Sequence, residues 1–280
     1  MKIIQWFPGH MTKAVRMMQD GVKLVDAVIY VIDARAVAAS DNPKFNDLIA
    51  GKRVLYVFNK ADLVEKKDLE PWFKRFTAEH KIYAAANSAG GDVANVVGGL
   101  RAAVADIVER YAAKGVNKSI RAMVVGVPNS GKSTMINSLC RSKKTMTGDR
   151  PGVTRGGQWV RVDKYIDILD TPGTLWASFE NQEYARDLAY IGSIKDDILD
   201  KTELVAEFIK KIAAEYPDCL KTRYGVDADV EQDTLLERII RARGFLLRGG
   251  EPDIERGSAA ILDDFRKGRL GKIMLEKAPK

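Results

Sequence analysis

The chain has 280 residues, 46% of them hydrophobic and 30% charged, with a net charge of +7 and a pI of about 9.2. That balance reads as globular and soluble, with room for one large domain or two ordinary ones. Two cysteines without metal-site spacing, an N-terminal apolar run too short for a signal peptide and no run able to span a bilayer argue against a thiol-ligated metal centre, secretion and membrane insertion, and point to a reducing cytosol.

The opening residues Trp6, Phe7, Pro8, Gly9 and His10 read as a turn anchored by aromatics. An amphipathic helix follows over about 12–21, with Ala14, Val15 and Met18 on one face. Residues 24–33, LVDAVIYVID, are a strong strand candidate. Asn42 and Pro43 suit a helix start, as N-cap and first helical residue, and that helix ends near Gly51. A second buried strand over 53–58 delivers Asn59, Lys60, Ala61 and Asp62, the N-K-x-D pattern that reads guanine in GTPases. Guanine offers an N1–H and an N2 amino group side by side, and the Asp62 carboxylate can accept from both. Adenine lacks that donor pair, and a site built for it rejects the analogue. The Lys60 stem can cover one face of the base, and Asn59 can brace neighbouring loops. Asp68 or Glu70, with Pro71, starts a helix that runs to about His80. A short strand over 82–86 leads to Ser88 and Ala89, where GTPases aim a backbone N–H at guanine O6. Apolar residues from Val93 to Tyr111 at helical spacing predict one long helix, and 112–119 is a polar connector.

The next strand, 120–125, runs into Gly126-x-x-x-x-Gly131-Lys132-Ser133, a complete P-loop. Glycines let the backbone lie against phosphates where a Cβ would collide. The amides from Asn129 through Ser130, Gly131 and on to Thr134 form a concave anion site at a helix N-terminus. Lys132 would reach the β- and γ-phosphates, and Ser133 would give its hydroxyl to Mg²⁺. A basic loop follows: residues 141–161 carry Arg141, Lys143, Lys144, Arg150, Arg155 and Arg161 against the single acid Asp149. Thr154 is the candidate switch threonine for Mg²⁺, with Thr145 and Thr147 as rivals. Strands over 158–162 and 165–169 form a hairpin-like pair ending in Asp170, Thr171, Pro172 and Gly173, the D-x-x-G pattern. There Asp170 would hold Mg²⁺ through water, and the Gly173 N–H would sense the γ-phosphate. A helix over about 179–190 follows, and beyond 194 only helical patterns appear. One places Leu204, Val205, Phe208, Ile209 and Ile212 in a stripe. Another starts at a capping box of Thr234 and Glu237, and a third spans about 254–267.

Residues 1–190 hold 28 Lys and Arg against 20 Asp and Glu, whereas 191–280 hold 17 against 18. The basic surplus therefore lies with the nucleotide-binding part, a field that favours a polyanionic partner. The motif order is rotated: N-K-x-D and Ser-Ala precede the P-loop, and the switch segments come last. Chain ends of compact domains lie close together, so joining them near 114–119 and opening the chain elsewhere preserves a fold. The rotation sends the D-x-x-G loop and its helix straight into the C-terminal helices, so nucleotide state would pass through the segment after Tyr190.

This arrangement, with IIQWFPGHMTKA at the start, TGDRPGVTRGGQWV in the middle and EYPDCLKTRYG later, closely resembles the circularly permuted ribosome-assembly GTPases of the YlqF/RbgA family over nearly the whole chain. The resemblance implies an α/β fold: a permuted P-loop GTPase domain with a mostly parallel sheet over 1–192, followed by a small all-α domain over 193–280. It implies GTP and GDP as ligands with Mg²⁺, GTP hydrolysis coupled to maturation of the large ribosomal subunit, and a helical domain that contacts rRNA. Free in the cytoplasm such a chain is expected as a monomer, with no membrane partner. By the same resemblance His10 is a candidate for orienting the attacking water, against the reading of a turn histidine. Asn129, in a P-N-x-G-K loop, is a candidate K⁺ ligand, against that of a plain turn residue. Many GTPases carry a Gln directly after D-x-x-G; here Thr174 stands there, where the family has an aliphatic residue, so slow intrinsic hydrolysis is expected. An RNA-binding placeholder whose nucleotide sets only its shape, and a permuted GTPase serving the small or an organellar ribosome, are the competing readings. N-K-x-D argues against an ATPase.

Overall fold

Strand β1 (Ala27–Asp33) is buried at every position. A strand with no wet face needs cover on both sides, as in parallel sheets of α/β proteins. The computed structural model describes residue 4 and residues 10–142, 158–175, 179, 181–195, 199–229 and 231–279. In it β1 is joined by β2 (Arg53–Asn59), β3 (Ile82–Ala86), β4 (Ile120–Val125), β5 (Gln158–Asp163) and β6 (Ile166–Asp170). The order across the sheet is β3-β2-β1-β4-β6-β5, parallel throughout except for β5, which runs antiparallel to β6 at the edge.

Side chains alternate along β1 and build two cores. Val28, Tyr30 and Ile32 join Met18 of α1 (His10–Lys23), Phe45 of α3 (Pro43–Ile49), and Trp72 and Phe76 of α4 (Lys66–Ala78). Ile29 and Val31 join Val96 and Leu100 of α5 (Ala94–Ala103), and Met135 and Leu139 of α7 (Lys132–Ser142). Between β1 and α3 lies the four-residue α2 (Val37–Ser40), which no sequence pattern marked.

Three helix expectations change. The long helix over 93–111 is two, α5 and α6 (Ala105–Ala112), broken where Val104 leaves helical geometry at φ −114° and ψ 13°. Helix α4 begins at Lys66, so Pro71 lies inside it; burial of Leu69, Trp72 and Phe76 offsets the missing backbone donor. The capping box at Thr234 is not formed, because α11 (Gln232–Ala242) already starts upstream and Thr234 instead donates its hydroxyl to Glu231 O at 3.0 Å.

The chain divides into two compact units, one of Gln5–Glu180 with Met274–Lys280, the other of Asn181–Ile273 with Met1–Ile4. The division falls at Glu180/Asn181, ahead of the expected 192/193 boundary. The reason is α8 (Gln182–Tyr190), which packs with α9 (Lys201–Glu215) and α12 (Ile254–Arg266): the Tyr190 and Phe208 rings lie 4.9 Å apart, and Arg266 gives hydrogen bonds to the Ala189 and Tyr190 carbonyls. The stripe on α9 is buried as the periodicity predicts, and α10 (Pro217–Tyr224) completes that unit.

Candidate functional site

Four segments meet at the carboxyl ends of the parallel strands, where open α/β sheets bind ligands at the point of strand-order reversal, here between β1 and β4. After β4, Gly126 adopts φ +153°, and a Cβ there would lie 2.4 Å from the Val31 carbonyl oxygen. Gly131 adopts φ +93°, with the Asn59 amide nitrogen 2.2 Å from a would-be Cβ. Lys132 is buried and donates from Nζ to Gly126 O at 3.1 Å and Val127 O at 2.9 Å, so it lies along its own loop. Burial pushes its ammonium down to about 8; the Asp170 carboxylate pulls the other way.

The guanine-reading segment is tied directly to this loop. Asn59, fully buried at the end of β2, donates Nδ2 to Ser130 O at 2.8 Å and accepts the Ser88 N–H on Oδ1 at 3.2 Å. One amide thus holds the P-loop and the Ser-Ala turn together. Ser138 of α7 adds a hydroxyl bond to Ser88 O at 2.6 Å. Lys60, in left-handed geometry at φ +60°, donates to Asn129 O and to Asp33 Oδ2, each at 2.7 Å. Asp62 and Ala89 stand exposed beside them.

On the other flank Ser133 Oγ donates to Asp170 Oδ2 at 3.4 Å. Gly173 closes on the P-loop: a Cβ there would sit 2.7 Å from Lys132 Nζ and from Pro128 Cα. Asn129 is exposed at φ +59°, and so is Thr134 at the start of α7. Thr174 is fully buried, and its hydroxyl finds no hydrogen-bond partner among the described residues. Thr154, its rivals Thr145 and Thr147, and the basic Lys143, Lys144, Arg150 and Arg155 lie outside the described residues. His10 opens α1, but its side chain also lies outside them.

Sequence reasoning missed Asp33 and Arg35. Asp33 is buried and takes Arg35 Nε at 2.9 Å and Nη2 at 2.8 Å as well as Lys60. Burial alone would raise the Asp33 carboxyl; the Arg35 guanidinium, then Lys60, outweigh it and hold it well below the usual carboxylate range. Lys60 itself is lowered by burial, with Asp33 opposing. A carboxylate closing an otherwise apolar strand was the available signal, since a buried charge needs a partner.

The model of the 50S ribosome-binding GTPase family matches residues 121–222, beginning at the P-loop strand and leaving N-K-x-D outside. Ribosome biogenesis GTPase A of Bacillus cereus is 38% identical over 98% of this chain and 94% of its own length. The crystal structure of GNP-bound YlqF from Thermotoga maritima aligns with a TM-score of 0.68 and 26% identity, covering 96% of this chain and 99% of that one. The GDP-bound structure of the same YlqF gives a TM-score of 0.67 at 25% identity, covering 93% and 98%. Among the described residues no helix is long and apolar enough to cross a membrane.

Proposed function

The chain belongs to the ribosome biogenesis GTPase A family, and on that premise we propose that it binds GTP and GDP, hydrolyses GTP slowly until engaged, and acts as an assembly factor for the large ribosomal subunit with its nucleotide state coupled to rRNA binding. The observation that carries the reading is the pair of direct bonds from the N-K-x-D segment to the P-loop, Asn59 to Ser130 O and Lys60 to Asn129 O. They support one pocket built from two segments that are far apart in sequence.

In this pocket Asp62 accepts from the guanine N1–H and N2 groups, and the Ser88–Ala89 turn offers a backbone N–H to O6. Lys132 leaves its carbonyl partners to neutralise phosphate charge, which phosphoryl transfer needs more than covalent chemistry. The Gly173 N–H faces the γ-phosphate. Ser133 and Asp170 supply the hydroxyl and carboxylate oxygens that suit Mg²⁺, with Thr154 as the third candidate; bound there, the ion would neutralise phosphate charge. Among the described residues no three His, Cys, Asp or Glu side chains form a group that could hold a metal ion by themselves. Asn129 remains the candidate K⁺ ligand, and equal hydrolysis in Na⁺ and K⁺ would remove it. His10 remains the candidate water-orienting group: H10A should lower turnover and leave GTP affinity unchanged.

Cosedimentation with separated ribosomal subunits, in GTP-analogue and GDP states at stated salt, tests the proposal. Binding to the large subunit in one state only is expected; state-independent binding, or binding to the small subunit alone, would overturn it. The buried Thr174 favours one second reading, an RNA-binding placeholder with incidental hydrolysis, because its hydroxyl is enclosed rather than offered to a water. Turnover that does not rise with added large subunit would select that reading.

A further inference from the structure

The last residues of the chain belong to the nucleotide-binding unit, although the helical unit precedes them in sequence. Met274 is buried in the same core as Tyr30, Phe58 and Val64. The Leu275 N–H donates to Arg35 O at 2.7 Å. The Glu276 carboxylate accepts the N–H groups of Ala38 and Ala39, at 2.5 and 2.8 Å. In sequence, residues 266–280 carry Arg266, Lys267, Arg269, Lys272, Lys277 and Lys280 against the single acid Glu276; folded, the end is a strap held by the Met274 side chain, the Leu275 N–H and the Glu276 carboxylate.

All of these contacts converge on one turn. Arg35, whose carbonyl Leu275 holds, gives its guanidinium to Asp33. Ser40, at the end of the short helix whose Ala38 and Ala39 amides Glu276 holds, accepts the Asp33 N–H on Oγ at 3.3 Å. Asp33 Oδ2 in turn anchors Lys60, which bridges to Asn129 O in the P-loop. The strap therefore grips the Asp33 turn from two sides, through Arg35 and through the helix carrying Ser40. A buried carboxylate with two cations has no cheap alternative arrangement, so a shift of Asp33 would be felt at Lys60.

We propose that residues 274–276 form a C-terminal strap that holds the turn at 33–35, and through it Lys60, in the geometry the guanine base requires, which makes Glu276 a positioning residue for nucleotide selection. The inference rests on the nucleotide reading given above and assigns to the tail a role in the same site.

The test uses the full chain. Wild type, E276A and the shape-preserving E276Q are titrated with a fluorescent GDP, and with inorganic tripolyphosphate as a probe of the P-loop alone. The GDP dissociation constant should rise about tenfold in E276A and less in E276Q, which keeps one acceptor oxygen, while tripolyphosphate affinity stays within about twofold. Coupling is reciprocal, so saturating GDP should slow hydrogen exchange at the Ala38, Ala39 and Leu275 amides of the wild type. Unchanged GDP affinity in both variants, equal weakening of both probes, or exchange at those amides indifferent to GDP would overturn the strap. If E276A fails to fold, E276Q and the wild-type exchange measurement decide. Failure of the wild type to bind GDP at all would instead overturn the nucleotide reading and this inference with it.

Discussion

Asn59 is the side chain on which the joining of the two half-sites most directly depends, so N59A is the sharpest perturbation. Its amide is fully buried and serves Ser130 O and the Ser88 N–H, themselves in residues no more than 3% exposed. Truncation strands one buried acceptor and one buried donor. Each costs about 1–3 kcal/mol in desolvation; water entering the space left by the amide recovers part of it, leaving a net loss of about 3 kcal/mol. All four tryptophans, at 6, 72, 159 and 176, fall outside Asn181–Ile273. Tryptophan fluorescence during urea unfolding therefore reports on the nucleotide-binding unit alone. With a urea slope of about 2 kcal/mol per molar, the midpoint should fall by about 1.5 M. GDP affinity should fall more than about tenfold, because the P-loop and the Ser-Ala turn lose their shared brace. N59D should be worse: it keeps the Ser88 bond but turns a donor into an anion facing the Ser130 carbonyl. A midpoint shift below about 0.3 M together with unchanged GDP affinity would falsify the idea that these two bonds hold the pocket together.

Three further outcomes follow from the same geometry. Lys132 is held near 8 by burial, and a bound phosphate favours its charged form, so nucleotide binding should take up protons above that pH and affinity should fall by up to about tenfold per unit. Calorimetry at pH 8.5 in buffers of different ionisation heat checks this, and identical heats would refute it. The same depressed lysine costs the free fold stability below about pH 8, and the cost fades as pH rises toward the ordinary lysine value. G173A would force a Cβ to within 2.7 Å of Lys132 Nζ and of P-loop backbone; turnover should drop at least about tenfold with helix content unchanged, and normal turnover would mean the loop yields freely. In the helical unit Asp187 is pushed up to about 6 by burial, with Lys211 opposing at 3.3 Å. The folded state therefore binds more protons than the unfolded one between about pH 4 and 6, and stability should fall across that window by up to about 1.4 kcal/mol per unit. Hydrogen exchange at α9 amides should follow this slope in the wild type and lose it in D187N.

Local pattern determined much of this protein. An uninterrupted apolar run can be only a buried strand or helix, and the glycine spacing of 126–131 leaves few backbone paths, so the strands, the P-loop and the α9 stripe were legible without coordinates. The rotated motif order was legible too, because each motif carries its own chemistry wherever it falls in the chain. Tertiary structure decided what depends on partners distant in sequence. Nothing local to Asp33 says that Arg35 and Lys60 will meet it, and Lys60 could be read as a cover for the base but not as a bridge to Asn129. The helix break at Val104, the start of α4 ahead of Pro71 and the allegiance of α8 to the helical unit were set by packing against other elements, which outweighs propensity. The final residues make the point most plainly: by composition they are a charged tail, and only the fold supplies the amides of Ala38 and Ala39 that give Glu276 a place to bind. Hydrogen bonds and buried charges are satisfied in three dimensions, so their partners cannot be read from one.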